Sequence, residues 1–303
     1  MYLPRATDRV RLGWRASGRS GQGESGRGAR LAGAEHLNEP SLDWGHHMAR
    51  ADRGYQPGFY GQSAALHDAE SRRIKAAKVV HCLRQAGALP LRDHAVGLDL
   101  GCANGFVVDA LAPELDRLMG LDYDREALLV AHRAGRTGSG LVHGDAMALP
   151  LVDESCDLVI CAQVYEHVPD DQQLVREVFR VLKPGGVVFF SGPNWLFPIE
   201  GHYHLPFLHW LPPRVADRWL QRLGRGDRYY ERTRTWWSLR RLWHRFEVRD
   251  VTTEAMHYVW RHSPGRVAAV GRRVPRWFWR LGGLLVPNFN WILTKQTAPC
   301  DGD

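Results

Sequence analysis

Between Val96 and Ser191 short apolar runs alternate with segments of helical spacing, and no other feature limits the fold as tightly. Val96–Leu100 reads as a strand, Phe106–Leu111 as a helix, Arg117–Leu121 as a strand, Arg125–Arg133 as a helix and Gly140–His143 as a strand. Asp157–Cys161, Asp171–Leu182 and Val187–Ser191 continue as strand, helix and strand, the last after the turn "KPGG". Strands joined through helices pair in parallel, so the alternation predicts an α/β fold with a doubly wound sheet. Ligands of such sheets bind beyond the carboxyl ends of the strands. Upstream, Ile74, Ala77, Val80 and Leu83 recur at helical spacing within residues 68–87, which predicts an N-terminal helix stopped by Gly87.

The first strand runs into "VGLDLGCANG", a loop of small residues opening a helix. A dinucleotide fingerprint fails, because Ala103 and Phe106 stand where its second and third glycines belong. A phosphate loop fails too, since no Gly-Lys-Ser/Thr follows. What remains is Asp99-x-Gly101-x-x-x-Gly105. An acid at the strand tip suits a ligand with a cationic amino group, which S-adenosylmethionine carries; a ligand-free strand turn is the alternative. Asp122 ends the second strand 17 residues after Gly105, where a carboxylate can accept both hydroxyls of a ribose. Asp145 and Ala146 follow the third strand and suit an adenine edge and face. Gln163, Glu166 and His167 follow the fourth.

At 303 residues the chain suffices for one large domain or two small ones, and 44% hydrophobic with 24% charged residues is ordinary for a globular protein. No apolar run approaches the roughly 20 residues of a membrane span, and "MYLPRATDRVRLGW" has no signal-peptide core. Cysteines 82, 102, 156, 161 and 300 form no C-x-x-C pair, which predicts a reduced, cytoplasmic chain. Residues 15–34 are Gly/Ser/Arg-rich without a period, so residues 1–47 read as a disordered extension; a basic nucleic-acid arm and a translation start at Met48 are the alternatives. Residues 51–200 carry 14 Lys/Arg against 20 Asp/Glu, whereas 201–303 carry 18 against 8 and nine of the 12 tryptophans. An acidic ligand module is thus joined to a basic, aromatic region that meets something anionic or amphiphilic.

The stretches "LDLGCANG", "GLDYD", "GDAMALPLVDESCDLVICAQVYEHVPD" and "VLKPGG", in this order over about residues 70–192, resemble the class I S-adenosylmethionine-dependent methyltransferases, in their methyltransferase type 11 branch. The resemblance implies a seven-stranded sheet whose last strand is antiparallel, with S-adenosylmethionine as cofactor. By analogy Asp99, Gly101 and Gly105 hold its methionine end, Asp122 its ribose, and Asp145 with Ala146 its adenine; Cys102, Tyr123 and Gln163 complete the cofactor set. Ala103 and Asn104 depart from the family pattern but are small enough for close approach. His167 is the candidate general base, with a structural histidine as the alternative and Glu166 as a loop organiser.

On this basis residues 48–192 form the cofactor-binding core, and residues 193–303 an acceptor-side cap that completes the sheet with its last two strands, "FEVRDVTTE" and "FNWILTK". The segment Ser191–Pro213 is expected to wall the acceptor pocket with a histidine facing the methyl group, a packed loop being the alternative. Its His202, His204 and His209 have only Glu200 nearby and no cysteine, so no metal is expected. Residues 259–287 hold Arg266, Arg272, Arg273, Arg276 and Arg280 among Trp277, Phe278, Trp279, Leu281, Leu284 and Leu285. That composition fits an interfacial element on anionic lipid, or a cap packed on its own domain. The expected acceptor is a small molecule or a lipid or quinone-like compound, met by a cytoplasmic enzyme peripheral to the inner face of the membrane. Methylation of RNA or protein is the second reading, disfavoured because "AQVY" stands where base-amino methyltransferases carry "NPPY". A non-catalytic S-adenosylmethionine-binding module is the third.

Overall fold

Every residue of β1 (Val96–Leu100) is buried, as a strand covered on both faces requires. It lies within a seven-stranded sheet in the computed structural model, which describes residues 55–56, 58–62, 64–273 and 285–296. The extension expected over 1–47, and residues 274–284 of the Arg/Trp-rich stretch, lie outside the described residues. The other strands are β2 (Arg117–Asp122), β3 (Gly140–His143), β4 (Cys156–Ala162), β5 (Leu182–Pro193), β6 (Phe246–Asp250) and β7 (Asn288–Lys295). Their order is β3-β2-β1-β4-β5-β7-β6, and β7 pairs antiparallel with both β5 and β6.

Two single helical turns, Phe59–Gln62 and Ala64–His67, precede α1 (Ala69–Gln85). The crossover helices α2 (Phe106–Leu111), α3 (Arg125–Arg133) and α4 (Asp171–Val181) follow β1, β2 and β4. Aspartates start three of these helices by accepting first-turn N–H groups: Asp68 from Ser71, Asp124 from Glu126 and Ala127, and Asp170 from Gln173. The sheet separates two cores. One gathers Leu98, Leu100, Val159 and Phe190; the other packs α1 and α2 through Val79, Leu83, Val108 and Leu111. Trp243 and Trp291 are fully buried, their rings 5.2 and 5.5 Å from Phe190, so part of the C-terminal tryptophan content is core.

After β5 come α5 (Pro213–Arg222) and α6 (Trp236–Leu242), and a small core of Leu205, Leu208, Ala216 and Leu220 supports the first of them. The sixth strand is shorter than expected. It stops at Asp250, whose Oδ1 accepts the N–H of Thr252 at 2.8 Å, and α7 (Thr252–His262) begins there. Residues 259–262 of the proposed interfacial segment therefore end a packed helix, and α8 (Arg266–Arg273) folds back on it, Gly271 leaving room for the Trp260 ring. Among the described residues no helix is long and apolar enough to cross a membrane.

Candidate cofactor and acceptor site

The loop after β1 is shaped by backbone that few side chains tolerate. Gly101 has φ 71°, and a Cβ there would stand 2.7 Å from a Val164 methyl. The N–H groups of Gly101 and Cys102 both donate to the carbonyl of Leu121, at 2.8 and 3.1 Å, which ties the loop to the tip of β2. Ala103, at φ 47°, donates its N–H to Asp122 Oδ2 at 2.7 Å, and Asp124 donates to Oδ1 at 2.7 Å. A carboxylate has about four lone-pair sites, so Asp122 can still accept two further donors. Burial raises its carboxyl to about 6, against the pull of those two N–H groups.

Asp99 is 3% exposed, and its Oδ2 has no hydrogen-bond partner. Burial pushes it up to about 8; Arg72 on α1 opposes the shift and Asp122 adds to it. An orphaned carboxylate oxygen at a cavity wall calls for a donor from a ligand. The cationic amino group inferred from the sequence meets that need.

After β3, Asp145 Oδ1 accepts the N–H of Met147 and the hydroxyl of Tyr55, each at 2.8 Å. The Tyr55 ring stacks on Tyr123, centroids 4.3 Å apart. Tyr60 donates its N–H to Asp124 at 3.0 Å, and Asn104 holds the Leu66 carbonyl at 2.8 Å. The segment leading into α1 is thus pinned to the site at several points.

Asp99, Gly101, Cys102, Asp122, Tyr123, Asp145, Ala146, Gln163 and His167 all line one cavity of about 1430 Å³. Gly105 does not line it. Its φ is 78° and a Cβ would approach the Arg136 carbonyl at 2.6 Å, so this glycine serves packing of the loop. Cys102 presents backbone, since its sulfur packs against Gly120. Tyr55, Arg72 and Phe59 also line the cavity and were missed in the sequence.

Met256, Val259 and Trp260 on α7 add apolar side chains to the lining of this cavity, and His167 and His202 add polar ones. The two imidazoles meet edge to face at 4.8 Å, and Phe59 covers His167 at 4.6 Å. Burial, with the neighbouring His202 charge, lowers His167 to about 3, so its ring is neutral. Burial also works against a charge on His202, yet Glu200 at 2.9 Å from Nδ1, helped by Glu231 and Glu166, lifts it to about 9. His209 is turned away, its Nε2 2.9 Å from the Trp195 carbonyl.

Residues 98–190 match the family model described as a methyltransferase domain. A Mycolicibacterium smegmatis protein named "Probable S-adenosylmethionine-dependent methyltransferase" is 45% identical over 97 residues, 32% of this chain and 37% of that protein. An uncharacterized methyltransferase of Mycobacterium leprae is 35% identical over 188 residues, 61% of this chain and 64% of its own length. The chain thus spans between about a third and two thirds of these two relatives. An uncharacterized methyltransferase of Mycolicibacterium paratuberculosis matches over 256 residues at 31% identity, 82% of this chain and 91% of that protein.

Proposed function

This chain belongs to the class I S-adenosylmethionine-dependent methyltransferases, and we propose that it methylates a small-molecule acceptor of lipid or quinone-like character, from the cytoplasmic side of an anionic membrane. The observation that carries this reading is the lining of the cavity: Asp99, Asp122 and Gln163 share it with the apolar side chains of Met256, Val259 and Trp260. In the proposed arrangement Asp99 accepts the cofactor's amino group, Asp122 the ribose hydroxyls, and Asp145 with Ala146 flanks the adenine. Tyr123, Gln163 and the backbone of Gly101 and Cys102 complete the cradle. Bound there, S-adenosylmethionine supplies an electrophilic methyl group on a sulfonium, a reaction in which the protein chiefly aligns the partners and excludes water.

His167 stands at the acceptor end. Being neutral it can take a hydrogen bond from an acceptor hydroxyl, but a base so weakened works poorly alone, because general-base catalysis is best near the operating pH. The chain's role toward the acceptor is then positioning: an apolar body against α7, and a polar head toward His167 and His202. Contact with a membrane is supported by the basic C-terminal third and by Phe207, Trp210 and Leu223, exposed by 46%, 41% and 47%. Mass spectrometry tests the assignment: lipid and quinone extracts are incubated with the enzyme and cofactor, beside RNA and protein fractions. One extract component should gain a single methyl group. Methylation confined to RNA or protein would overturn the acceptor class.

A further inference from the structure

Three carboxylates gather near His202. Glu166 follows β4, Glu200 follows β5, and Glu231 lies on the strip that the Arg232 N–H ties to the Glu166 carbonyl at 2.9 Å. They are 0%, 2% and 5% exposed. Among the described residues none of the three pairs with a lysine or arginine; their charged neighbours are one another and the histidines. Glu200 is satisfied, holding the ring of His202 at 2.9 Å and the N–H groups of His202 and Tyr203. Glu166 and Glu231 are not. Both oxygens of each lack a partner, apart from a weak pull from nearby backbone N–H groups of their own loops. The imidazole beside Glu166 does not supply the missing bond, because His167 Nε2 stands 3.9 Å away.

We propose that Glu166, His167 and His202 form a binding site for a divalent first-row transition-metal ion at the acceptor end of the cavity. One ligand atom from each of the three lies within 4.8 Å of the others. Metal–ligand bonds of about 2.0–2.2 Å place ligand atoms roughly 3.3 Å apart, so small side-chain adjustments close the set around an ion. The hydrogen bond from His202 Nδ1 to Glu200 leaves Nε2 to bind the ion, its proton being released to solvent as the ion enters, with the carboxylate–imidazole support that metal-bound histidines ordinarily have. Two imidazoles and a carboxylate favour a transition metal over calcium or magnesium. His167 and His202 line the cavity while Glu166 lies behind them, so the ion's open positions face the acceptor. The site stands independently of the acceptor assigned above. Its use, holding an acceptor oxygen or nitrogen, rests on that reading. In the proposed site His167 is a ligand and not the base that its sequence position suggested, and His202 is a ligand where the sequence reading expected no metal.

The test uses the full chain, depleted of metal with a chelator and titrated with Mn(II) by electron paramagnetic resonance and with Co(II) by visible absorption. The expected result is about one ion per chain, with affinity falling at least tenfold in both His202→Ala and Glu166→Gln, while calorimetric binding of S-adenosylhomocysteine shows each variant folded. Should His202→Ala fail that check, Glu166→Gln and His167→Gln carry the comparison. No binding by the wild type would overturn the proposal. So would equal binding by the folded variants, which would place the ion elsewhere. Loss of the metal site with S-adenosylhomocysteine binding intact leaves the methyltransferase reading standing, and loss of S-adenosylhomocysteine binding by the wild type would strike that reading instead.

Discussion

Asp99 illustrates how a residue proposed to bind a cofactor can weaken the fold that carries it. Its carboxyl is raised to about 8, far above an ordinary aspartate, mainly by burial. An acid raised in the folded state favours the protonated form. The stability it allows is therefore complete below the unfolded value near 4 and declines as pH rises from about 4 to about 8. Asp99→Asn removes that decline. The cofactor-free variant should melt higher than wild type at pH 8, by roughly 2–4 °C for each kcal/mol regained, with little difference at pH 4.5, yet bind S-adenosylmethionine more weakly. Equal melting temperatures at both pH values would contradict the buried, unpartnered carboxylate. Gly105 predicts the opposite pattern. Gly105→Ala forces a side chain into the left-handed region against the Arg136 carbonyl, at a cost of about 1–3 kcal/mol, so thermal stability should drop while residual cofactor affinity stays near wild type. The carboxylates at the strand tips were legible because each sits in sequence beside the strand that positions it. Glu231 and Tyr55 were not, since each reaches its place through contacts with residues more than 60 positions away.

At the scale of elements, strands and helices with a clean period agreed with expectation: β1, β3, α2 and α3 have the boundaries read from the sequence. The error at β6 has a physical cause. "VTTE" is rich in β-branched residues and so prolongs a strand pattern, but Asp250 caps the backbone and Ala255 and Met256 are buried on a helix. The helix read over residues 68–87 forms as α1, with Val80 and Leu83 buried as its spacing implied. Ala76, Val79 and Leu83 are buried, and helical spacing back from them reaches Arg72, which the pattern anchored on Ile74 and Ala77 left unnoticed. The segment before α1 yields a prediction of its own. A chain beginning at Met48 should fold and bind cofactor as the full chain does. One beginning at Asp68 loses Tyr55 and Tyr60, and with them the contacts to Asp145 and Asp124; its affinity for S-adenosylmethionine should fall at least tenfold, roughly one or two hydrogen bonds, with circular dichroism little changed. Equal affinity of the two would show that the segment plays no part in the site.

For the whole molecule, the basic, aromatic C-terminal third beside the acidic residues 51–200 motivates the proposed contact with an anionic membrane. The enzyme should sediment with anionic but not with neutral vesicles at low salt, and should release toward 1 M salt, where the Debye length is about 3 Å. Indifference to anionic vesicles would remove the membrane from the account and leave a soluble acceptor. The claim on which everything else stands is that the loop after β1 and the tip of β2 hold S-adenosylmethionine, with Asp122 as the central grip. Calorimetric titration measures this directly on wild type and on Asp122→Ala, with circular dichroism confirming that the variant is folded. Wild type should bind about one cofactor per chain, and the variant should lose about 2–4 kcal/mol, two hydrogen bonds to a charged group at about 1.5–3 kcal/mol each less what water restores. No heat of binding in wild type, or an unchanged affinity in Asp122→Ala, would contradict the account.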